Sequence, residues 1–129
     1  MCRGMFFMIE KFSIFSIGAL GYGLIEFCWR GHTHWTMLVA GGVCLMALYS
    51  LNERFLQVPL LVRCAAGACL ITAVELCFGL IFNRWLHLGV WDYSGHWGNL
   101  WGQICPLYTF FWFLLCIPLL ACISRAQKV

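Results

Sequence analysis

The chain has 129 residues, 63% of them hydrophobic and 10% charged, with a net charge of +3 and a mean hydropathy of +0.86. Soluble domains carry roughly 25% charged residues, so this composition excludes a water-facing surface, and the length leaves room for a single domain, 1–129. In a soluble protein the basic excess would be a weak sign of a nucleic-acid partner; here it reads as a topology signal, the partner is the lipid bilayer, and no nucleic acid is expected.

The first apolar run covers about 12–29, and Glu26 is its only charge between Lys11 and Arg30. Lys11 ahead of it and the small residues Gly18-Ala19-Leu20-Gly21 imitate a signal peptide. No soluble domain follows that needs export, so it reads as a retained anchor. A short turn, Arg30-Gly31-His32-Thr33-His34, leads into Trp35. Its His-x-His invites a metal, but zinc needs three or four ligands at defined geometry, and His87 and His96 lie on another loop. No metal is expected, and His32 and His34 read as interfacial residues bonded to carbonyls or headgroups.

The second run, 35–51, is uncharged, and a link over 52–59 joins it to the third, 60–82. There Glu75 is the only charge between Arg63 and Arg84. A carboxylate at the centre of a span costs about 2.5–3.5 kcal/mol on the insertion scale for Asp, so two acids inside spans need a reason. The loop 87–100 is polar and aromatic, with Val90-Trp91-Asp92-Tyr93-Ser94, then Asn99 and the following Gly102-Gln103. Either Asn99 caps the fourth helix and Asp92 caps a local turn, or the loop folds back as a lid over a site. Gly98 and Gly102 have the Gly-x-x-x-Gly spacing of close helix packing. The fourth run, 102–123, contains Pro118 and Pro106, the latter a hinge or a first-turn proline, with the first-turn reading favoured.

Each run is near the 20 or so residues that a bilayer requires, and backbone polar groups in lipid must be satisfied within the segment. The expected fold is therefore all-α, a polytopic membrane protein with four transmembrane helices. Arg3, Lys11, Arg54, Arg63, Arg125 and Lys128 fall on one side, Arg30 and Arg84 on the other, which places both termini in the cytoplasm. Trp29, Trp35, Trp85, Trp91, Trp97 and Trp101 gather near the outer boundary, as an interfacial belt or as an aromatic wall for a ligand. Cys28, Cys44, Cys69, Cys77, Cys116 and Cys122 lie inside apolar runs with no Cys-x-x-Cys, and read as small packing residues. Aligning Glu26 on Glu75 also aligns Gly18 with Gly67, Ala19 with Ala68 and Cys28 with Cys77, while Gly41-Gly42-Val43-Cys44 parallels Gly102-Gln103-Ile104-Cys105. That pattern fits a duplicated helical hairpin, with a site between the halves.

Glu26 and Arg30 are one helical turn apart and can pair, and Glu75 can join them. Two readings stand: a proton, cation or amine site, or an ion pair locking spans together. Asp92, Asn99 and Gln103 would close such a site, with His32, His34, Trp35, Trp91 and Tyr93 as further candidates. No phosphate-binding glycine loop, serine nucleophile elbow or His-Glu-x-x-His motif occurs, so no catalytic residue and no cofactor is assigned.

Glu26 with Trp29-Arg30-Gly31-His32-Thr33-His34-Trp35-Thr36-Met37 and Gly41-Gly42, Thr72 with Glu75, Gly79 and Asn83, and Trp91-Asp92-Tyr93-Ser94 with Asn99 and Gly102-Gln103-Ile104-Cys105 together resemble one family. It is that of the small bacterial membrane proteins labelled putative ABC-transporter type IV, or CmpB-like. The resemblance covers about 18–106, departing only in Gly-His-Thr-His where a more variable Gly-x-Ser/Thr-His is usual. It implies a permease or permease subunit in the bacterial cell membrane, with substrate unknown. The link 52–59 leaves little room for a helix that couples to an ATPase, so a permease of this size would form a homo-oligomer or join a larger transporter complex. The alternatives are an intramembrane enzyme using Glu75 and Asp92 on a lipid or lipid-linked substrate, and an accessory subunit of a larger membrane complex.

Overall fold

The computed structural model describes residues 2–128, without the side chains of Cys2, Arg3, Phe7 and Lys128. Arg3 and Lys128, two of the six charges that set the expected orientation, thus lie outside the described side chains. Four helices carry the chain: α1 Cys2–Arg30, α2 Trp35–Arg54, α3 Leu60–Phe78 and α4 Pro106–Lys128. All four are long and apolar enough to cross a membrane. The protein is all-helical; among the described residues the only β-type pairing is one bridge, Leu100 to Ile104.

Two ends differ from the sequence expectation. Helix α1 begins at Cys2 rather than near 12, because nothing between Gly4 and Lys11 breaks a helix and Met5, Phe6, Met8 and Ile9 extend its apolar character. Helix α4 begins at Pro106 rather than 102. Trp101 and Gly102 have φ of 53° and 71°, which no right-handed helix accepts. Pro106, lacking an N–H that would be orphaned anyway, opens the helix as its first residue.

Helix α3 does not stop at Phe78. It widens into a π-helical segment, Gly79–Trp85. A side chain at Gly79 would meet Gln103 at 2.5–3.0 Å, so Gln103 lies directly against the backbone where the widening starts. Such π-helical widenings recur at functional sites.

The chain divides into two compact units, Met1–Ala47 and Leu48–Val129. In the first, α1 and the start of α2 meet at their glycines. A Cβ on Gly18 would lie 2.6 Å from Gly41 O, one on Gly41 2.5 Å from Tyr22 Cβ, and one on Gly42 2.6 Å from the Phe15 ring. Backbones approach this closely only where small residues allow it, the usual basis of helix association in lipid.

In the second unit α3 packs along α4. Cys64, Cys116 and Leu120 are fully buried there, Gly67 lies against Cys116 and Leu48, and the Thr72 and Thr109 hydroxyls bond at 2.9 Å. At one end of this unit the last turns of α2 and α4 and the first turn of α3 are joined through Asn52, Arg63, Ser124 and Gln127. Gly18 and Gly67, aligned by the apparent repeat, thus both sit where helices touch. The other half of that repeat is not structural: Gly41 and Gly42 are inside α2, whereas Gly102 is in a loop at positive φ. The same correction applies to Gly98 and Gly102, whose spacing is that of two turn glycines, φ 69° and 71°, and not of a helix face.

Candidate functional site

Glu75 lies one turn before the π segment and is 6% exposed. Its Oε2 accepts a hydrogen bond from the Tyr93 hydroxyl at 3.1 Å. Tyr93 belongs to the long loop between the π segment and α4, so the loop folds back onto α3.

Asn83 holds the loop in that position. Projecting from the π segment, its Oδ1 accepts from the Val90 N–H at 2.6 Å and the Trp91 N–H at 3.4 Å, and its Nδ2 donates to Gln103 Oε1 at 2.9 Å. Gln103 Nε2 donates to Trp101 O, and Gln103 O accepts from Trp91 Nε1, both at 2.9 Å. Trp91 and Gln103 are buried. The Tyr93 ring stacks on Tyr108 of α4 with centroids 4.6 Å apart and planes 14° from parallel. His96 stands edge-on to both rings, at 5.7 and 5.4 Å. Stacking and the Asn83–Gln103 pair therefore fix where the phenol can reach, and it reaches the carboxylate.

Other candidates have different places. Asp92 is exposed, and its Oδ1 accepts from the Ser94 N–H at 2.9 Å. That bond and one with the Ser94 hydroxyl hold its carboxyl below the ordinary range. Asn99 donates to His96 O at 2.8 Å and Ser94 O at 3.2 Å, and accepts from the Gly102 N–H at 3.0 Å. Both residues shape the loop; Asn99 caps no helix, because α4 starts beyond it.

Glu26, also buried, accepts from Arg30 Nε at 2.6 Å within the first unit. His34 Nδ1 bonds the Thr36 hydroxyl at 2.8 Å and accepts from the Thr36 N–H at 3.3 Å, so it caps the start of α2. His32 is exposed, as is Trp35, whose ring is 5.7 Å from that of His34. Trp29, Trp85, Trp97 and Trp101 are exposed as well, and Trp91 is the buried tryptophan. Cys28, Cys69, Cys77 and Cys122 are exposed on their helices rather than packed between them, whereas Cys64, Cys105 and Cys116 are buried. A groove of about 750 Å³ runs between α3 and α4, lined by Ala68, Cys69, Leu100, Ile104 and Phe110 among others, but neither Glu75 nor Tyr93 lines it.

Sequence reasoning passed over Asn83, Tyr108 and His96 as site residues. Asn83 carries a signal, an amide beside Arg84 at the end of an apolar helix; the other two become partners of Tyr93 only through the fold.

A multi-pass helical membrane protein with a carboxylate sunk in its third span, and a loop fastened onto it, is the class these features define. The family model described as "Putative ABC-transporter type IV" matches residues 12–128, and the chain belongs to that family, ABC_trans_CmpB. Comparison with curated proteins and with solved structures returns no match.

Proposed function

We propose that the protein is a permease or permease subunit of the bacterial cell membrane, with both termini cytoplasmic, and that Glu75 and Tyr93 form the point at which it holds a cation, a proton or a substrate amine. One observation carries the reading: a carboxylate within a span is bonded by the loop that leads from the π segment to α4. An acid in that position is costly unless it is used or paired, and by default marks a pathway. The phenol O–H stabilises the ionised carboxylate; a cation arriving at Glu75 supplies that stabilisation instead and frees the Tyr93 hydroxyl. The loop and the charge state of the site are thereby linked. Glu26 and Arg30 form a second charged pair, within the first unit.

Between Arg54 and Leu60 the chain has only a five-residue turn region, 55–59, with no helix of its own. Energy from an ATPase would therefore be coupled through further copies or subunits, and the protein works in a larger assembly. The reading as a lipid-directed enzyme has less support, because its acid–base partner for Glu75, Asp92, is an exposed turn cap whose depressed pKa makes it a weaker base.

The test is uptake by vesicles containing the protein, across monovalent cations, divalent cations and organic amines. E75Q is expected to abolish any uptake observed, and Y93F to reduce it, with thermal unfolding of both close to the parent. Uptake that survives E75Q, or an E75Q protein that simply fails to fold while Y93F behaves as the parent, would return Glu75 to a structural role.

A further inference from the structure

A second polar centre lies at the other end of α3, and it is built around a cation. Arg63, the fourth residue of α3, is 7% exposed. Its Nε donates to Val58 O at 2.9 Å, and its Nη1 donates to Asn52 Oδ1 and, at 2.8 Å, to Ser124 Oγ. Asn52 is fully buried and donates in turn to Ser124 Oγ at 2.9 Å and Gln127 Oε1 at 2.7 Å. Gln127 Nε2 completes the set by donating to Tyr49 O at 2.9 Å.

Every one of these partners is neutral. Among the described residues no carboxylate pairs with Arg63, and none accepts from its Nη2. A buried charge compensated only by dipoles is costly, and the N-terminal end of α3 adds a partial positive charge of its own. Arg54 and Arg125, both exposed, stand in the last turns of α2 and α4, beside the exposed acid Glu53. Asn52 and Ser124 hold the guanidinium plane while one of its two terminal nitrogens remains available. A planar fork held this way suits a phosphate oxygen better than a mobile ammonium would.

We propose that Arg63, oriented by Asn52 and Ser124, binds the phosphate of an anionic phospholipid at this end of the spans. Arg63 lies in the first turn of the third span, and basic sites between helices at the headgroup level are where such lipids are held. The surroundings also favour a lipid over a soluble anion. Phe55, Leu61 and Val62, within two residues of Arg54 or Arg63 in sequence, are exposed, so apolar surface lies at the same end of the unit as the basic groups. A phosphate carrying acyl chains uses both; inorganic phosphate or an acidic peptide uses only the charges. This inference is independent of the Glu75 site.

The test follows thermal unfolding of the full chain in neutral detergent during addition of phosphatidylglycerol, phosphatidylcholine, inorganic phosphate or a polyglutamate peptide. Phosphatidylglycerol alone is expected to raise the midpoint. R63Q should weaken its half-saturation about fivefold or more, the effect of one basic residue near an anionic surface. Because R63Q also removes the donor on which Asn52 and Ser124 depend, R63K is measured beside it; it keeps the cation but loses the fork, and should lose part of the affinity. Equal stabilisation by phosphatidylcholine would overturn the proposal, as would an unchanged response to phosphatidylglycerol in either variant. A midpoint raised by inorganic phosphate would reassign the site to a soluble phosphoryl ligand, and one raised by the peptide to an acidic protein partner; each also overturns the lipid.

Discussion

Two acids close together in sequence differ in what they do. Glu75 is buried within a span and bonded by a phenol; Asp92 is exposed and engaged with the residue two places on. The Ser94 contacts lower the pKa of Asp92 in the folded protein, so its contribution to loop stability is present at neutral pH and is lost as the pH falls through that depressed value. The protection factor of the Ser94 amide, corrected for intrinsic exchange, should therefore decline on acidification. In D92A it should be low and nearly independent of pH. A Ser94 amide equally protected in D92A would mean the turn is held without Asp92, by Asn99 and the backbone bonds of Tyr93 and His96. Arg63 teaches the opposite lesson about exposure: by position it looks like one more interfacial charge, yet it is among the most buried polar residues of its unit.

At the scale of helices, contact geometry separates glycines that sequence treats alike. A Cβ added at Gly41 would lie 2.5 Å from Tyr22 Cβ and 2.8 Å from Gly18 O, whereas one added at Gly21, on the partner helix, would meet nothing within 4 Å. G41V forces α1 and α2 apart and should destabilise by about 1–3 kcal/mol or more, the usual cost of overpacking. G21A places a methyl in open space and removes glycine's backbone entropy, so it should be neutral or stabilising by about 0.4–1 kcal/mol. Unfolding in mixed micelles decides this, and equal effects of the two substitutions would contradict the close α1–α2 contact. The π segment likewise meets a distant residue at its first position. The widening starts at Gly79, and Gln103, from another part of the chain, lies against that glycine.

For the molecule as a whole, four spans with the bulk of Lys and Arg at one set of ends predict a defined orientation. A phosphatase that works only outside the cytoplasm should be active when fused after Gly95, and green fluorescent protein fused at the C-terminus should fluoresce. The reverse pattern would invert the proposed topology, and with it the leaflet assigned to Arg63. The four spans and the acids within them could be read along the chain because lipid tests each segment separately, for length, hydropathy and internal hydrogen bonding. The family was legible for a related reason, its motifs being local strings. Roles were not legible where the deciding partner is distant. Tyr93 meets Glu75 across 18 residues, Arg63 meets Ser124 across 61, and Asn52 meets the same serine across 72. Period and composition carry no information about such meetings, since a polar side chain becomes scaffold, lock or site only through the groups that surround it once the helices have packed.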